Sequence, residues 1–403
     1  MKPELLAPAG DLEKLRTAIV YGADAVYLGG QAFSLRAGAG NFNEAELIEA
    51  LYHAHANGVR VYVAINIYAK NNDLQPLEEY VRWLEAAGVD AVIVSDVGVF
   101  QTVRRVAPGL EVHISTQAST SNTAGVNFWG ELGARRVVLA RELNLEEIKD
   151  IADNTEVELE TFIHGAMCMA WSGRCLISSF LTGRSANRGD CAQPCRWKYH
   201  LVEAQRPGEY MHVEEDERGT YIFNARDLCM LPYVPQLAAA GIASFKIEGR
   251  MKSVHYLATV VNAYRQAIDA WWQQGDNYQL DPAWLEELDL ASHRPWSTGF
   301  YFGAPGAEGQ FTEHSRYLRH AAFVGVVRGW QDGELLVEQR GNFARGQTLD
   351  LVLPGSKPVS IKVEAMTNAE GRPLERAPHA QQLVKIPWPQ PVPEFTVLRR
   401  REQ

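Results

Sequence analysis

Over the first 250 residues, short runs of Val, Ile, Leu and Tyr alternate with longer segments whose apolar positions recur at helical spacing, and glycine often closes the helical segment. Eight runs read as strands: Glu4 to Ala7, Ala25 to Leu28, Arg60 to Ile65, Ala91 to Ser95, Glu111 to Ser115, Arg136 to Ala140, Glu158 to Ile163 and Ala243 to Ile247. Helices are expected between them at Leu12 to Tyr21, Glu44 to Ala56, Leu77 to Ala87, Val97 to Val106, Thr123 to Leu132 and Leu145 to Ala152. Even strand spacing, with no glycine-rich phosphate fingerprint after the first strand, favours an α/β fold of the TIM-type (β/α)8 barrel kind over an open doubly wound sheet.

One repeat breaks the rhythm. About eighty residues separate the seventh and eighth strands, and they hold all five cysteines. Barrel enzymes place chemistry in such insertions at strand C-terminal ends. Beyond the eighth strand, Ser253 to Trp272 reads as an amphipathic helix that closes the barrel, and residues 273–315 as a polar and aromatic connector. From Ala322 the pattern changes to period-two runs: Phe323 to Arg328, Glu334 to Gln339, Thr348 to Val352, Val359 to Val363, Leu383 to Ile386 and Phe395 to Leu398. Turn markers Asp332-Gly333, Pro354-Gly355 and Gly371 separate them, which predicts a small C-terminal antiparallel β-barrel. The expected division is a barrel over 1–272 with a cysteine-rich insertion over 164–230, a connector over 273–315 and a small domain over 316–403.

Composition changes this picture little. Apolar residues make up 46% and charged residues 22% of 403 residues, as in a globular protein. The run Leu5 to Ala9 lies between Glu4 and Asp11 and lacks the features of a signal peptide, and no stretch has the length of a membrane span. A cytoplasmic location is expected, where cysteines stay reduced and more often bind metal than form disulfides. The net charge of −10 opposes nucleic-acid binding by overall attraction, but residues 311–403 carry 13 Lys+Arg against 10 Asp+Glu, so an acidic body bears a mildly basic appendage.

Cys168, Cys175, Cys191 and Cys195 fall within 28 residues, separated by six, fifteen and three. Four thiolates in such a window can close around an iron–sulfur cluster, which requires soft anionic ligands. Zinc competes, although only Cys191 and Cys195 have the usual close spacing of a zinc pair. Inert buried thiols and disulfides are the other readings. Cys229, in the helix-like run Leu228 to Leu231, is the spare.

The surrounding sequence is specific. The stretches ETFIHGAMCMAWSGRCLIS at 160–178, NRGDCAQPCR at 187–196, FKIEGR at 245–250, ELLAPAG at 4–10 and GADAVY at 22–27 resemble the collagenase-like peptidase family of unassigned catalytic type. Within it, Ala140 to Ile148 and Glu203 to Met211 are similar to the branch that hydroxylates the wobble uridine of tRNA to 5-hydroxyuridine. The resemblance implies a 4Fe-4S cluster on Cys168, Cys175, Cys191 and Cys195, with prephenate rather than dioxygen supplying the hydroxyl. It also implies tRNA as partner, and a second related subunit in some branches. Other branches act on ribosomal RNA or a quinone precursor. The chain departs from the tRNA branch in a shorter segment between Cys195 and Glu203.

Peptidase chemistry has little support in the residues, because neither Gly-x-Ser-x-Gly nor His-Glu-x-x-His occurs and the simplest Cys/His pair, Cys168 with His164, uses a cysteine better placed as a cluster ligand. Barrel strand ends direct side chains into one mouth, which would gather Asn66, Asp96, Ser115 with Gln117, Arg141 with Glu142, Glu160, His164, Lys246, Glu248 and Arg250, with Tyr27 and Trp171 nearby. The expected catalytic group is Lys246, Glu248, Arg250, Arg141, Glu160 and His164. Arginine forks and a lysine charge suit the two carboxylates of prephenate. Lys246, Glu248 and Arg250 alternate as on one strand face; the competing reading is an ion-paired set that stabilises the barrel interior. Arg184, Arg188, Arg196 and Lys198 make the insertion basic and are candidates for RNA phosphate contact.

Overall fold

A computed structural model of the chain describes residues 1–34, 41–167, 177–182, 184, 192, 194, 225–305 and 317–402, with the backbone of a few short strands between 201 and 221. In chain order the first elements are β1 Glu4–Pro8, α1 Leu12–Val20, β2 Ala25–Gly29, α2 Glu44–Ala56, β3 Arg60–Ala64, α3 Asn71–Ala87, β4 Ala91–Val94 and α4 Val97–Val106. They continue with β5 Glu111–Ile114, α5 Thr123–Glu131, β6 Arg136–Val138, α6 Leu145–Asp153, β7 Glu158–Ala166 and α7 Ile177–Thr182. Next come β8 Asp227–Cys229, α8 Val234–Ala239, β9 Ser244–Ile247, α9 Val254–Gln274, α10 Pro282–Asp289 and β10 Trp296–Ser297.

Strands β1 to β7 pair in sequence order, all parallel, and β9 pairs in parallel with both β1 and β7. The eight-stranded barrel is therefore closed. Local chemistry sets the helix starts: Asn43 with Glu46 and Asn144 with Glu147 form reciprocal capping boxes, and Asp11 accepts from the Lys14 amide. Helix α3 begins at Asn71, a turn and a half before the expected Leu77, and carries Pro76 within it.

β7 runs beyond the expected end at Ile163. Its last residues pair antiparallel with β8, His164 opposite Cys229, Gly165 opposite Leu228 and Ala166 opposite Asp227. The chain from 167 to 226 thus leaves and re-enters the barrel mouth on a two-stranded stem. This corrects the helix-like reading of Leu228 to Leu231: Asp227, Leu228 and Cys229 are all buried, and the available partner for their backbone is the projecting end of β7. The described part of the connector, up to residue 305, contains regular elements that its polarity does not suggest: α10, started by Asp281 and Pro282, and β10, laid parallel to β8.

The C-terminal part is a seven-stranded antiparallel sheet: β11 Ala321–Gln331, β12 Glu334–Gln339, β13 Thr348–Val352, β14 Val359–Lys362, β15 Thr367–Asn368, β16 Leu383–Pro387 and β17 Val397–Arg401, in the order β14-β13-β17-β11-β12-β16-β15. The last strand starts at Val397 rather than Phe395, whose φ of 67° is left-handed and incompatible with a strand. The sheet packs on α1 and α9. Val326, Val352, Phe395 and Val397 share the barrel's core, Asn262 bonds Leu353 and Gly355, and Glu13 pairs with Arg328 and Arg340. Among the described residues no helix is long and apolar enough to cross a membrane.

Candidate functional site at the barrel mouth

Branched apolar side chains usually fill a parallel barrel. Here a row of charges runs through it. At the floor, Glu4 accepts from Arg136 at 2.6 Å, Tyr62 at 2.8 Å and Ser244 at 2.9 Å, and also pairs with Arg60. Arg136 reaches Glu158 at 2.8 Å and Glu160 at 3.2 Å, and the other oxygen of Glu160 accepts from the Lys246 ammonium at 2.7 Å. Glu160 has no exposed surface and Arg136 only 2%. Burial alone would raise the Glu160 carboxyl, but the charges of Lys246 and Arg136 outweigh it and bring it down to about 2. Isolated charges at this depth would be untenable, and the alternation of sign is what allows them.

Lys246 ends the row at the mouth. Its ammonium lies 4.4 Å from the centre of the Tyr27 ring and 5.5 Å from that of Phe162. The Tyr27 hydroxyl is held by the Ile247 carbonyl at 3.0 Å. Beside it the Arg141 guanidinium stacks on Phe162 at 3.7 Å, donates to the Ala166 carbonyl at 2.9 Å and approaches Glu248 at 3.8 Å. Arg250 donates to Ser34 at 2.9 Å, and both groups press against Gly29, where any side chain would collide with them.

The expected gathering at the mouth is thus met by Lys246, Arg141, Glu248, Arg250 and Tyr27, with two changes of geometry. β9 ends at Ile247 with a register shift after Lys246, so Glu248 and Arg250 come from the turn beyond the strand and not from its alternating face. β6 ends at Val138, so Arg141 and Glu142 lie on a loop, and burial raises the Glu142 carboxyl. Asp96 caps α4 through Val99, Ser115 accepts from the Gln117 amide, and the Asn66 carbonyl accepts from Ser95.

Glu160 and His164 lie elsewhere. Glu160 sits below the mouth, inside the barrel, tied to Lys246. His164 lies inside the stem, its ring 5.0 Å from Trp296 and 5.4 Å from Tyr264, and burial pushes it down to about 3, so it is neutral. Glu4, Arg136 and Tyr62 were missed; for Glu4 and Arg136 the available signal was charge at inward positions of otherwise apolar strands.

Cys168, Cys175, Cys191, Cys195, Trp171, Arg188, Arg196 and Lys198 lie outside the described residues. Arg184 is exposed, its amide bonded to Thr182. Two neighbours of the cysteines are joined: Ser178, three residues after Cys175, accepts from the amide of Ala192, next to Cys191, at 2.9 Å. Among the described residues no group of three or more His, Cys, Asp or Glu could hold a metal ion.

Residues 10–311 match Peptidase family U32, and residues 319–399 match the Peptidase family U32 C-terminal domain. The chain belongs to peptidase family U32. This U32 chain is 43% identical over 389 residues to tRNA hydroxylation protein P1 of Bacillus subtilis (strain 168), which spans 96% of this chain and 92% of that protein. It is 37% identical to tRNA hydroxylation protein P of Escherichia coli (strain K12), over 96% and 94% of the two chains. The 23S rRNA 5-hydroxycytidine C2501 synthase of the same organism is 40% identical over 66% of this chain and 39% of its own length.

Among the described residues, Cys229 and His164 do not make a thiol-peptidase pair. They are register partners in the stem, yet burial raises the thiol to about 11 and lowers the imidazole to about 3, which makes it a poor base. A thiol nucleophile needs the reverse, an acidified thiol beside a base that can take its proton.

Proposed function

We propose that this U32 chain is a tRNA-modifying enzyme that hydroxylates C5 of the wobble uridine, with prephenate supplying the hydroxyl and dioxygen not required. Near-full-length similarity to proteins named for tRNA hydroxylation carries this reading. The mouth supports it chemically. A dicarboxylate needs cations held apart at fixed positions, and Lys246 on the barrel axis and Arg141 on its rim are two such cations. A pyrimidine lifted from its stack needs planar surfaces, which Tyr27, Phe162 and the Arg141 guanidinium supply.

Cys168, Cys175, Cys191 and Cys195 would hold a 4Fe-4S cluster. The donor set fits, since four thiolates in 28 residues meet the ligand demand, and the Ser178–Ala192 bond joins the sequence neighbours of two of them. When bound, the cluster supplies one-electron redox capacity or structural bracing to the insertion. The chain's own residues bind and orient: Lys246 and Arg141 take carboxylates, and Arg184, Arg188, Arg196 and Lys198 meet RNA phosphate.

Mass spectrometry of tRNA nucleosides from a deletion strain tests the assignment. Loss of 5-hydroxyuridine derivatives is expected; undiminished levels after deletion of any paralogue as well would overturn it. A second reading, in which the chain delivers RNA to a related partner subunit, is excluded by turnover of the isolated chain with prephenate and tRNA.

A further inference from the structure

Arg136 lies near the barrel floor, on the far side of Glu160 from the mouth, and its guanidinium touches Glu4, Glu158 and Glu160. Along the axis the signs alternate Arg60, Glu4, Arg136, Glu160, Lys246, so the row begins and ends on a cation. Its floor end is solvated, since the Arg60 side chain is 47% exposed; the side chain of Lys246 is 5% exposed.

Stability alone gives a weak reason for this row. Buried ion pairs are often matched or surpassed by apolar side chains of the same volume, which is how most parallel barrels are filled. The row does yield a point charge at a defined place. Among the described residues the Lys246 ammonium donates only to Glu160. Its other N–H bonds have the faces of Tyr27 and Phe162 beside them. An ammonium so placed has donors to spare for a ligand oxygen.

Glu160 sets that place. Its two oxygens are divided between Lys246 and Arg136, so its carboxylate cannot turn without losing one partner. Arg136 is in turn fixed by two donations to one Glu158 oxygen, from Nε at 3.0 Å and Nη2 at 2.8 Å, and by Glu4. We propose that Arg136, acting through Glu160, is a positioning residue that holds the Lys246 ammonium at the mouth as the contact for a carboxylate of a small organic acid. The identity of that acid as prephenate rests on the function proposed above; the positioning does not.

The test uses the full-length protein and the variants Arg136→Gln, Arg136→Lys, Glu160→Gln and Lys246→Met, each checked for native circular dichroism. Two quantities are read: the Kd for prephenate by calorimetry, and the rate at which Lys246 is acetylated, followed by peptide mass spectrometry. Arg136→Gln and Glu160→Gln should each weaken prephenate binding about tenfold, the scale of one displaced charge-assisted hydrogen bond, and change the Lys246 acetylation rate by a similar factor. Arg136→Lys should recover most of both, and tRNA affinity should stay unchanged. On a Lys246→Met background, Arg136→Gln should add no further loss of prephenate affinity. A folded Arg136→Gln protein with wild-type acetylation of Lys246 overturns the positioning, as does an equal loss of affinity with and without Lys246. If the wild type does not bind prephenate while Arg136→Gln still alters Lys246 acetylation, the co-substrate assignment fails and the positioning stands.

Discussion

Gly165 in the stem lies directly against Glu248 at the mouth: a Cβ at Gly165 would fall 2.5 Å from the Glu248 carbonyl oxygen and 3.0 Å from its Cβ. The Glu248 amide, in turn, donates to the His164 carbonyl at 2.9 Å. The stem that carries the cysteine-rich insertion and the turn that carries Glu248 are therefore packed backbone to backbone. Gly165 also has a φ of 106°, which an L side chain rarely adopts. Gly165→Ala should destabilise the protein by about 1–3 kcal/mol and shift Glu248 away from Arg141. Urea denaturation would measure the first effect. In vitro tRNA hydroxylation at a temperature where the variant is folded would measure the second, and unchanged values of both would refute the contact's importance.

Glu160 predicts a pH signature. Its folded-state value of about 2 lies below the ordinary 4.5, so its contribution to stability is complete above about pH 4.5 and is lost as pH falls through about 2. The depression corresponds to about 3 kcal/mol. The stability difference between wild type and Glu160→Gln should be largest at neutral pH and shrink across that window, as measured by urea titrations at several pH values. A difference that stays constant from pH 7 to pH 2.5 would show that the carboxylate's charge is not what stabilises the barrel.

Much of this arrangement was readable in the sequence, for definable reasons. Parallel strands buried on both faces appear as continuous apolar runs, and all eight barrel strands could be placed within a few residues. Lys246, Arg141, Glu248 and Arg250 follow from the rule that chemistry collects at strand C-terminal ends. The rule does not reach Glu160, which lies in mid-strand, buried and paired with two cations. His164 was misplaced because β7 continues past the barrel and pairs with β8, and a contact between residues 164 and 229 leaves no local pattern. Arg136 and Glu4 escaped notice because each, taken singly, looks like a charge at a strand end. Their pairing across 132 residues is a property of barrel closure.

Cys229 is buried in β8 and its thiol is raised to about 11 by desolvation, so it stays protonated and makes a poor metal ligand. Anaerobically purified protein should contain about four iron and four sulfide per chain. Cys229→Ser should keep that content and the visible absorbance, while Cys191→Ala should lose both. Iron retained in full by Cys191→Ala, or zinc in place of iron, would refute the proposed ligand set.

One phenol bridges the barrel and the C-terminal sheet. The Tyr21 hydroxyl, at the end of α1, donates to the Val352 carbonyl at 2.6 Å and accepts from the Val397 amide at 3.0 Å, with only 1% of the residue exposed. These bonds tie β13 and β17 to the same helix end, and desolvation keeps the phenol protonated at any ordinary pH. Tyr21→Phe retains the ring but leaves a buried carbonyl and a buried amide without this partner, which should reduce stability by about 1–3 kcal/mol. Because the sheet shares its core with the barrel through Val326, Val352 and Val397, unfolding should remain a single transition shifted to lower denaturant, with an unchanged slope. Two separated transitions in Tyr21→Phe would instead show that this bond, and not the shared core, makes the two parts unfold together.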